Sequence, residues 1–516
     1  MMVGSDQQAP LSGPDFAAGI PAAAVAEGAL VLGHAGGEAV VLTRCGGKLR
    51  AVGASCTHYG GPLAEGVVVD GTIRCPWHHA AFDLETGDAV RPPALNPIPC
   101  WEVEERAGRV VVGARRAPAA PARRRGPSGP ESVVIVGGGA AGAVAAQVLR
   151  DEGYEGPVTL LSAEGSEPVD RPNLSKDYLA GNAPEEWIPL RPAGWYAGRG
   201  ITLRTSAEVK AIDARAKRVT LGDGSELPFG ALLLATGAEP IRLPARDGSP
   251  VYALRTLADS RAIIARAAQV KRAVVVGASF IGLEVAASLR ARGLEVTVVA
   301  PDHQPLEHVL GEAIGRAVHA LHESHGVRFM LGRLAKQVDA QEVLLDDGTR
   351  LPAELVVAGI GVRPNVRLAT AAGLRVNGGV MVDEYLASSV PGIYAAGDIA
   401  RWPDAASGRA IRVEHWAHAE RMGRTAARNI LGAAERFDAV PFFWSAHYDL
   451  TIGVAGHAEL PDRVEVDGDP AARDCTVRYF EGDRLAAVAT IGRDRELLLA
   501  EARMELALRE QPVPVR

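Results

Sequence analysis

One arrangement of elements occurs twice in this chain and limits its possible folds more than any other feature. The segment VVIVGGG at 133–139 is followed by AAGAVAAQVLRDEG and PVTLLSAE, which predicts a buried strand, a glycine turn, a helix and a second strand. The segment KRAVVVGASFIGLEVAASLRARGLEVTVVAPD at 271–302 repeats this order. Apolar strands joined by crossover helices are typical of parallel sheets, so we expect two nucleotide-binding subdomains.

Length and composition indicate a globular protein of several domains. The chain has 516 residues, a length typical of about three or four domains, with 47% hydrophobic and 23% charged residues, as in globular proteins. The net charge of -7 disfavours nucleic-acid binding. The sequence contains neither a secretory signal nor an apolar run of ~18–20 residues, so we expect no membrane association. The five widely spaced cysteines favour the reducing cytoplasm.

The segments before and after the repeat differ from it in residue composition and hydrophobic pattern. Residues 18–112 contain short alternating runs broken by Gly and Pro, which predict a small all-β domain. Residues 115–132 are rich in Pro, Ala and Arg and predict a linker. Its arginine run at 123–125 is interpreted as a solvated linker charge run, with a nucleic-acid or localisation patch as the alternative. The last 75 residues or so predict strands followed by one helix.

A pair of short motifs in the all-β segment predicts a metal site. Cys56 and His58 form C-x-H, and after 16 residues Cys75 and His78 form C-x-x-H. Zinc is one alternative, although zinc fingers usually place both cysteines together and both histidines together. Here each motif supplies one of each. This suits a two-iron cluster in which one iron binds two thiolates and the other binds two imidazoles.

The first glycine loop has the spacing G-x-G-x-x-G between a strand and a helix, with Glu164 at the end of the next strand. The first glycine permits the tight turn, the second lets the backbone approach a pyrophosphate, and the third lets helix and strand pack. Glu164 is expected to accept ribose hydroxyls. The predicted loop residues are Gly137, Gly139, Ala140, Ala141 and Gly142.

Several motifs together resemble two known families. CTHYGGPLAEG and CPWHHAAFD resemble the Rieske [2Fe–2S] signature. The first glycine loop, LLLATGAEP, GIYAAGDIA and DRPNLSK at 170–176 resemble the FAD-dependent ferredoxin (rubredoxin) reductases and apoptosis-inducing-factor-like proteins. The resemblance implies a multidomain fold: an all-β Rieske domain, an α/β two-dinucleotide-binding (FAD and NAD) reductase fold, and an α+β C-terminal reductase domain. In the Rieske register His79 takes a position where the family often has Gly, so we interpret it as a non-ligand.

The resemblance assigns the second glycine loop to NAD(P)H. Ser279 stands where the pattern has Gly, and its Cβ is expected to tighten the fit. The acid expected after the next strand is replaced by Ala300, with Asp302 two residues on. We favour NADH because the sequence shows no basic pocket for a 2′-phosphate, and NADPH stays open. The residues expected to bind this nucleotide are Gly277, Ser279, Phe280, Ile281, Gly282 and Gly361.

The resemblance also implies roles for single residues. Lys176 and Glu284 are expected to pair beside the flavin ring and to act catalytically. The alternative for Glu284 is a first-turn helix residue favoured by the helix dipole. Between Cys100 and Cys475 there is no cysteine, which excludes a thiol relay. The residues expected to bind FAD, besides the loop, are Glu164, Arg171, Lys176, Val209, Thr236, Gly237, Asp398, Glu414, His415 and Trp416.

The function implied is NAD(P)H oxidation through FAD to the chain's own cluster and on to an unknown acceptor, with an oxygenase, a ferredoxin or a cytochrome as candidates. The alternative is a slow redox-sensing flavoprotein of the apoptosis-inducing-factor type. We expect a monomer or homodimer. The expected domains are Rieske (18–114), linker (115–130), FAD-binding (131–254 and 373–438), NAD(P)-binding (255–372) and C-terminal reductase (439–516).

Overall fold

The computed structural model describes residues 11–117, 129–245, 249 and 251–510. The linker predicted at 115–130 lies mostly outside the described residues, and its arginine run at 123–125 lies wholly outside them. The described chain forms the all-β, α/β and α+β parts that the sequence predicts. None of the helices in these ranges is both long enough and apolar enough to cross a bilayer.

Ten strands and two 3-10 turns form the N-terminal part. The strands are β1 (Ile20–Pro21), β2 (Leu30–Ala35), β3 (Glu38–Cys45), β4 (Lys48–Gly53), β5 (Val67–Val69), β6 (Thr72–Arg74), β7 (Ala81–Asp83), β8 (Ala89–Arg91), β9 (Cys100–Arg106) and β10 (Arg109–Arg115), and the turns are Ala22–Ala24 and Leu63–Glu65. Antiparallel pairing gives a six-stranded sheet in the order β1-β10-β9-β4-β3-β2 and a four-stranded sheet in the order β5-β6-β7-β8.

The apolar side chains of these strands form two clusters. One contains Phe16, Leu42 and Trp101. The other contains Ile73 and Phe82 and includes both cysteines of the predicted metal site. One metal motif follows β4 and the other joins β6 to β7, so the buried faces of the two sheets fix the loops that carry the predicted ligands.

The α/β part runs from the first repeat to residue 430. Its strands are β11 (Val133–Val136), β12 (Val158–Leu161), β13 (Ile201–Arg204), β14 (Val209–Asp213), β15 (Arg218–Leu221), β16 (Glu226–Pro228), β17 (Ala231–Leu234), β18 (Ala238–Pro240), β19 (Val251–Ala253), β20 (Arg272–Val276), β21 (Glu295–Ala300), β22 (Arg328–Leu331), β23 (Ala335–Val338), β24 (Glu342–Leu345), β25 (Arg350–Pro352), β26 (Leu355–Ala358), β27 (Val362–Pro364), β28 (Val380–Met381), β29 (Ile393–Ala395), β30 (Ala400–Pro403) and β31 (Ala410–Ile411). Its helices are α1 (Ala140–Asp151), α2 (Asp177–Ala180), α3 (Trp195–Gly198), α4 (Leu257–Ala267), α5 (Phe280–Ala291), α6 (Glu307–Ser324), α7 (Arg367–Ala371) and α8 (Trp416–Ile430), with 3-10 turns at Arg171–Ser175 and Glu185–Trp187.

Two five-stranded parallel sheets form the centre of this part. The first has the order β13-β12-β11-β17-β29 and the second the order β19-β26-β20-β21-β22. All four residues of β11 and all four of β17 are buried, as expected for strands covered on both faces. The strand β19 pairs with β26, so the second sheet takes up residues 251–253, ahead of the boundary predicted at 255.

Helices α1 and α8 pack closely against each other beside the first sheet. A Cβ on Gly423 of α8 would lie 2.2 Å from the carbonyl oxygen of Ala141, so only glycine permits this approach. The antiparallel ribbon β18-β27 connects the regions of the two parallel sheets. The remaining strands form small sheets in the orders β14-β15-β16, β23-β24-β25 and β28-β30-β31.

The C-terminal part is a sheet covered by one helix, as the sequence predicts. Its strands are β32 (Phe442–His447), β33 (Leu450–Gly456), β34 (Arg463–Asp469), β35 (Asp474–Glu481) and β36 (Arg484–Ile491), and the helix is α9 (Asp494–Glu510). The antiparallel order is β32-β33-β36-β35-β34. Leu497 of α9 packs over Gly453 of β33, where a Cβ would lie 2.5 Å from the leucine side chain.

Candidate redox site

The two predicted metal loops share one backbone conformation. In each loop the cysteine amide donates to the carbonyl five residues on, and the cysteine carbonyl accepts from the amide four residues on. These four hydrogen bonds are 2.8–3.2 Å long. The two loops therefore hold their cysteines, Cys56 and Cys75, in closely similar backbone conformations. The histidines His58 and His78 follow in the same loops.

The four predicted ligands come together as two like pairs. His58 Nδ1 and His78 Nδ1 lie 3.2 Å apart, a separation suited to two ligands of one iron. Burial lowers the pKa of His58 to about 3 and the pKa of His78 well below its usual value, so both rings are neutral, the form that binds metal. The hydrogen bond with the Cys75 thiol, together with burial, raises the pKa of Cys56.

The surroundings of the pairs fit a two-iron cluster. A Cβ on Gly61 would lie 2.6 Å from Cys75 Sγ, so the loop has no room for a larger residue there. Within the described ranges, no three His, Cys, Asp or Glu side chains are arranged to hold a single metal ion. A two-iron cluster needs only two protein ligands at each iron, so the observed pairs fit it better than a single zinc ion.

His79 has a structural setting different from that of its neighbour His78. Its φ is +58°, whereas the corresponding position in the first loop is Gly60 with φ +77°. A residue with a Cβ adopts this region at a cost. The buried His79 ring stacks on Phe442 at 3.9 Å, and its Nδ1 lies 2.6 Å from Glu501 Oε2. The side chain is thus held by the C-terminal part.

The first glycine loop fits a dinucleotide pyrophosphate. Gly137 has φ +120°, and a Cβ there would lie 2.1 Å from the carbonyl oxygen of Ala235. A Cβ on Gly142 would lie 1.9 Å from the carbonyl oxygen of Gly137. At Gly139, the N-cap of α1, the only atoms near a Cβ would belong to the Arg171 guanidinium. An open, positively charged space at a helix N-terminus suits a phosphate group.

A chain of charged groups connects three residues predicted to bind FAD. Arg171 pairs with Glu164 and donates to the carbonyl oxygen of Arg255 at 2.8 Å. Arg255 in turn pairs with Asp398 at 2.8 Å. The sequence did not indicate Arg255, because it lies in an undistinguished loop before α4. The structure makes it the partner that orients the Asp398 carboxylate.

Lys176 and Glu284 form the buried pair that the sequence predicts. Lys176 Nζ lies 2.8 Å from Glu284 Oε2, and the Glu284 side chain is 2% exposed. Ser175 Oγ donates to the same oxygen at 2.5 Å, and Ser445 Oγ donates to Oε1 at 2.6 Å. Three partners therefore compensate the buried carboxylate, which an isolated helix-dipole interaction would not do.

The second glycine loop repeats the geometry of the first. Gly277 has φ +112°, and a Cβ there would lie 2.2 Å from the carbonyl oxygen of Gly359. A Cβ on Gly282 would lie 2.1 Å from the carbonyl oxygen of Gly277. Ser279 is the N-cap of α5 with φ −93°, an ordinary value for any residue, so its serine causes no backbone strain. Ile281 in the first turn is 45% exposed.

Aromatic rings join the second glycine loop to the region before α8. Phe280 contacts Phe443 edge-on at 5.0 Å, and His415 stacks on the same ring at 4.2 Å. Phe443, which packs against the core of the second sheet, therefore links two of the predicted cofactor regions. Trp416, next to His415, donates a hydrogen bond to the buried Glu420, whose pKa is raised well above its usual value by burial.

The other predicted residues occupy varied positions. Thr236 Oγ1 donates to the Asn365 carbonyl oxygen at 3.1 Å, beside Gly237 at the ribbon between the two sheets. Gly361 lies at the same ribbon with φ +98°. The exposed Glu414 pairs with Arg412 at 2.5 Å. Val209 is buried in the core as the first residue of β14.

The tip of the N-terminal part, where the two histidines lie, packs against the α/β and C-terminal parts. The His78 ring lies 4.2 Å from the Trp444 ring, and the His58 ring lies 6.2 Å from it. Tyr59 stacks on His58 at 3.8 Å and donates a hydrogen bond to Asp170, the first residue of the Lys176 loop. Trp444 packs against the core cluster that contains Phe442 and also contacts the metal-site histidine His78.

Buried ion pairs hold this contact in place. Glu501 of α9 is fully buried and pairs with His79, with Arg91 at 2.8 Å and with Arg421 of α8 at 2.9 Å. Burial by itself would raise the pKa of Glu501, but Arg91 and Arg421 outweigh it and hold that pKa well below its usual range. One turn further along α9, Glu505 pairs with Arg74 at 2.8 Å and also with Arg91. The N-terminal part is thus docked by ionic contacts, whereas the sequence indicated only a linker between the domains.

Three family models match successive parts of the chain. Residues 18–102 match the Rieske [2Fe-2S] domain, residues 131–423 match the pyridine nucleotide-disulphide oxidoreductase family, and residues 442–514 match the reductase C-terminal domain. The second match covers more than half of the chain. These families imply a [2Fe–2S] cluster, FAD and NAD(P)H as cofactors, and the geometry of the two metal loops and the two glycine loops fits such groups.

Relatives agree with this assignment. Apoptosis-inducing factor 3 of Mus musculus is 34% identical over 88% of this chain and 78% of its own length. The ferredoxin–NAD(+) reductase component of the anthranilate 1,2-dioxygenase system of Burkholderia cepacia is 37% identical over 74% of this chain and 95% of its own. The structure is similar, with a TM-score of 0.70 and 36% identity over 74% of this chain and 97% of the other, to the reductase in a covalent putidaredoxin reductase–putidaredoxin complex. The chain therefore belongs to the pyridine nucleotide-disulphide oxidoreductase family and is an FAD-dependent, ferredoxin-reductase-like NAD(P)H oxidoreductase that carries its own Rieske domain.

Proposed function

We propose that the chain passes electrons from NAD(P)H, through its FAD, to its own Rieske cluster and then to a separate one-electron acceptor. The observation that supports this most directly is the contact of His78 with Trp444 at 4.2 Å. It places a predicted cluster ligand against the C-terminal part, on the side where Lys176 and Glu284 lie. Bound FAD supplies the conversion of a two-electron hydride into single electrons, which a [2Fe–2S] cluster accepts one at a time.

The charges around the metal site support the same route. Lys176 is close enough to His78 for its charge to add to the effect of burial in lowering the pKa of that histidine. The Tyr59–Asp170 hydrogen bond connects the metal-site tip to the loop that holds Lys176. The candidate metal site and the Lys176–Glu284 pair are therefore adjacent. We infer that Lys176 and Glu284 orient the flavin ring on the side that faces the metal site.

A solved relative supports the proposal by analogy. A putidaredoxin reductase has been obtained as a covalent complex with putidaredoxin. We infer that the fused Rieske domain of this chain takes the place of a separate small iron–sulfur partner. The acceptor beyond the cluster is then an oxygenase, a ferredoxin or a cytochrome, and NADH is our proposed donor. We further propose that the residues expected from the sequence to bind each cofactor do so.

An anaerobic titration with NADH tests the route. We expect the flavin absorption to bleach and the reduced-cluster signal to appear in electron paramagnetic resonance spectra, both within one turnover. Bleaching of the flavin with a cluster that stays oxidised over the whole reaction would exclude the proposed path. NADPH in a parallel titration compares the two donors.

A slow redox-sensing role is the second candidate, supported by the similarity to apoptosis-inducing factor 3 over 88% of the chain. An enzyme role predicts rapid steady-state reduction of ferricyanide or cytochrome c. A sensing role predicts slow turnover and a long-lived complex of reduced protein with oxidised nucleotide. Stopped-flow measurement of that complex's lifetime distinguishes the two.

A further inference from the structure

A line of buried polar side chains leads away from the Lys176–Glu284 pair into the C-terminal part. Glu284 presents Oε2 to Lys176 and Oε1 to Ser445 Oγ, at 2.8 and 2.6 Å. Ser445 Oγ lies 3.1 Å from His447 Nε2, and His447 Nδ1 lies 3.4 Å from His322 Nε2 on α6. Ser445, His447 and His322 are all fully buried. Four side chains from three separate elements thus form one continuous hydrogen-bonded line.

The outer end of this line is directed towards the surface. His322 Nδ1 is buried and has no hydrogen-bond partner among the residues that the structure describes. His325 follows three residues later on the same helical side, is exposed, and stacks on Tyr448 at 3.7 Å. Tyr448 also contacts the His322 ring at 5.2 Å. The unpaired nitrogen of His322 is therefore about one helical turn from an exposed imidazole.

We propose that Ser445, His447 and His322 form a proton relay between the Lys176–Glu284 pair and the outer side of α6. The inference rests on one part of the proposed function, namely that the electrons of a hydride leave singly. Oxidation of NAD(P)H yields NAD(P)+, one proton and two electrons. One-electron acceptors take the two electrons without the proton, so one proton per NAD(P)H leaves the flavin site separately.

The chemistry of the line suits this task. A neutral imidazole accepts a proton on one nitrogen and releases one from the other. Burial lowers the pKa of His447 to about 3 and that of His322 to about 2, so both rings are neutral. A proton taken up by the Glu284 carboxylate and passed to Ser445 is balanced by one released at His322 Nδ1, so the charge of the line is unchanged after each transfer.

The direction of the hydrogen bonds determines which tautomers His447 and His322 must adopt. While Glu284 is ionised it only accepts, so Ser445 donates to it and His447 Nε2–H donates to Ser445. Outward transfer begins from the opposite arrangement, in which a protonated Glu284 donates to Ser445, Ser445 donates to His447, and both imidazoles carry their proton on the other nitrogen. Each proton that leaves therefore exchanges the tautomers of both rings.

The kinetic test uses full-length enzyme reduced anaerobically with NADH and then mixed with ferricyanide, an external one-electron acceptor. We expect flavin reoxidation to be slower in D₂O than in H₂O. His447→Gln, which keeps a hydrogen-bonding side chain but does not shuttle a proton, is expected to slow reoxidation about tenfold or more. Added imidazole is expected to restore the rate in His447→Ala. His319→Gln is the matched control, because His319 bonds Gln304 outside the line.

A second readout does not depend on turnover. In protein labelled with ¹⁵N-histidine, His322→Gln is expected to shift the ring nitrogen resonances of His447, whereas His319→Gln leaves them in place. His322→Gln also tests the relay from its outer end if His447 variants fail to fold, and the isotope effect in the unmodified protein needs no variant.

The outcomes separate the relay from the electron route. Reoxidation with no solvent isotope effect, or with unchanged rates in His447→Gln and His322→Gln, overturns the relay. A cluster that NADH never reduces, in a protein whose flavin reoxidation by ferricyanide still shows the isotope effect and the His447 dependence, overturns the electron route and retains the relay.

Discussion

His78 and Trp444 meet at the boundary between the Rieske domain and the C-terminal reductase domain, with ring centroids 4.2 Å apart and ring planes tilted by 44°. One residue is a predicted ligand of the cluster, and the other follows Phe443, which contacts both Phe280 and His415. This contact connects the metal site to both predicted nucleotide regions through a single short strand, β32.

Replacing Trp444 with Ala should slow reduction of the cluster without a comparable effect on reduction of the flavin by NADH. The indole contacts the predicted cluster ligand His78, so its loss removes this contact and weakens the docking surface. We expect a decrease of roughly tenfold or more, equivalent to about 1.4 kcal/mol in the barrier. Stopped-flow spectra that resolve flavin and cluster bands measure it. Trp187→Ala, at an exposed tryptophan, is the control, and equal cluster rates in the two variants would refute the prediction.

Replacing Glu501 with Ala should destabilise the folded protein by ~3–5 kcal/mol, because it leaves Arg91 and Arg421 buried without their shared carboxylate. Denaturant unfolding measures the change. Glu496→Ala removes a less buried carboxylate on the same helix, which pairs with Arg478, and should cost no more than about 1 kcal/mol. Comparable losses in the two variants would show that the buried network does not hold the domains together.

Two adjacent histidines should respond differently to substitution. His78→Ala should remove the Rieske signal from electron paramagnetic resonance spectra, while His79→Gly should retain it. Glycine accepts the φ of +58° at position 79, although the variant loses the contacts with Glu501 and Phe442. We therefore expect His79→Gly to weaken domain docking and slow electron transfer. Loss of the cluster signal in His79→Gly, with normal folding, would contradict the proposed ligand set.

Replacing Lys176 with Ala should slow hydride transfer or change the flavin potential, because Glu284 would keep its buried charge without the ammonium partner. Stopped-flow flavin reduction and a redox titration measure the two effects. Lys210→Ala is a suitable control, since the exposed side chain of Lys210 pairs with the exposed Glu208. Unchanged reduction traces and potential in Lys176→Ala would remove the proposed role of the pair.

The nucleotide preference should favour NADH. Asp302 follows the strand β21 and pairs with His308 at 2.8 Å, and we propose that its carboxylate repels a 2′-phosphate. We expect kcat/KM for NADH to exceed that for NADPH, and Asp302→Asn to reduce the difference. A preference for NADPH in the unmodified protein would show that Asp302 does not face the ribose.

The local motifs alone were sufficient to predict the fold class and to locate both glycine loops and the four candidate metal ligands that the structure brings together. Each of these depends on short-range geometry. Gly137 and Gly277 must adopt a positive φ within a few residues of a helix N-terminus, and Cys56 and His58 are separated by one residue. Constraints of this kind leave a recognisable residue type at a fixed spacing, whatever the rest of the chain does.

The tertiary structure alone decided how the domains meet. Glu501 contacts His79 and Arg91 across more than 400 residues, Arg255 reaches Asp398, and His447 reaches His322. Each of these residues is ordinary in its own sequence context, because its partner comes from another strand, helix or domain. Buried charges and imidazoles acquire their roles only when packing removes water and leaves one partner within reach.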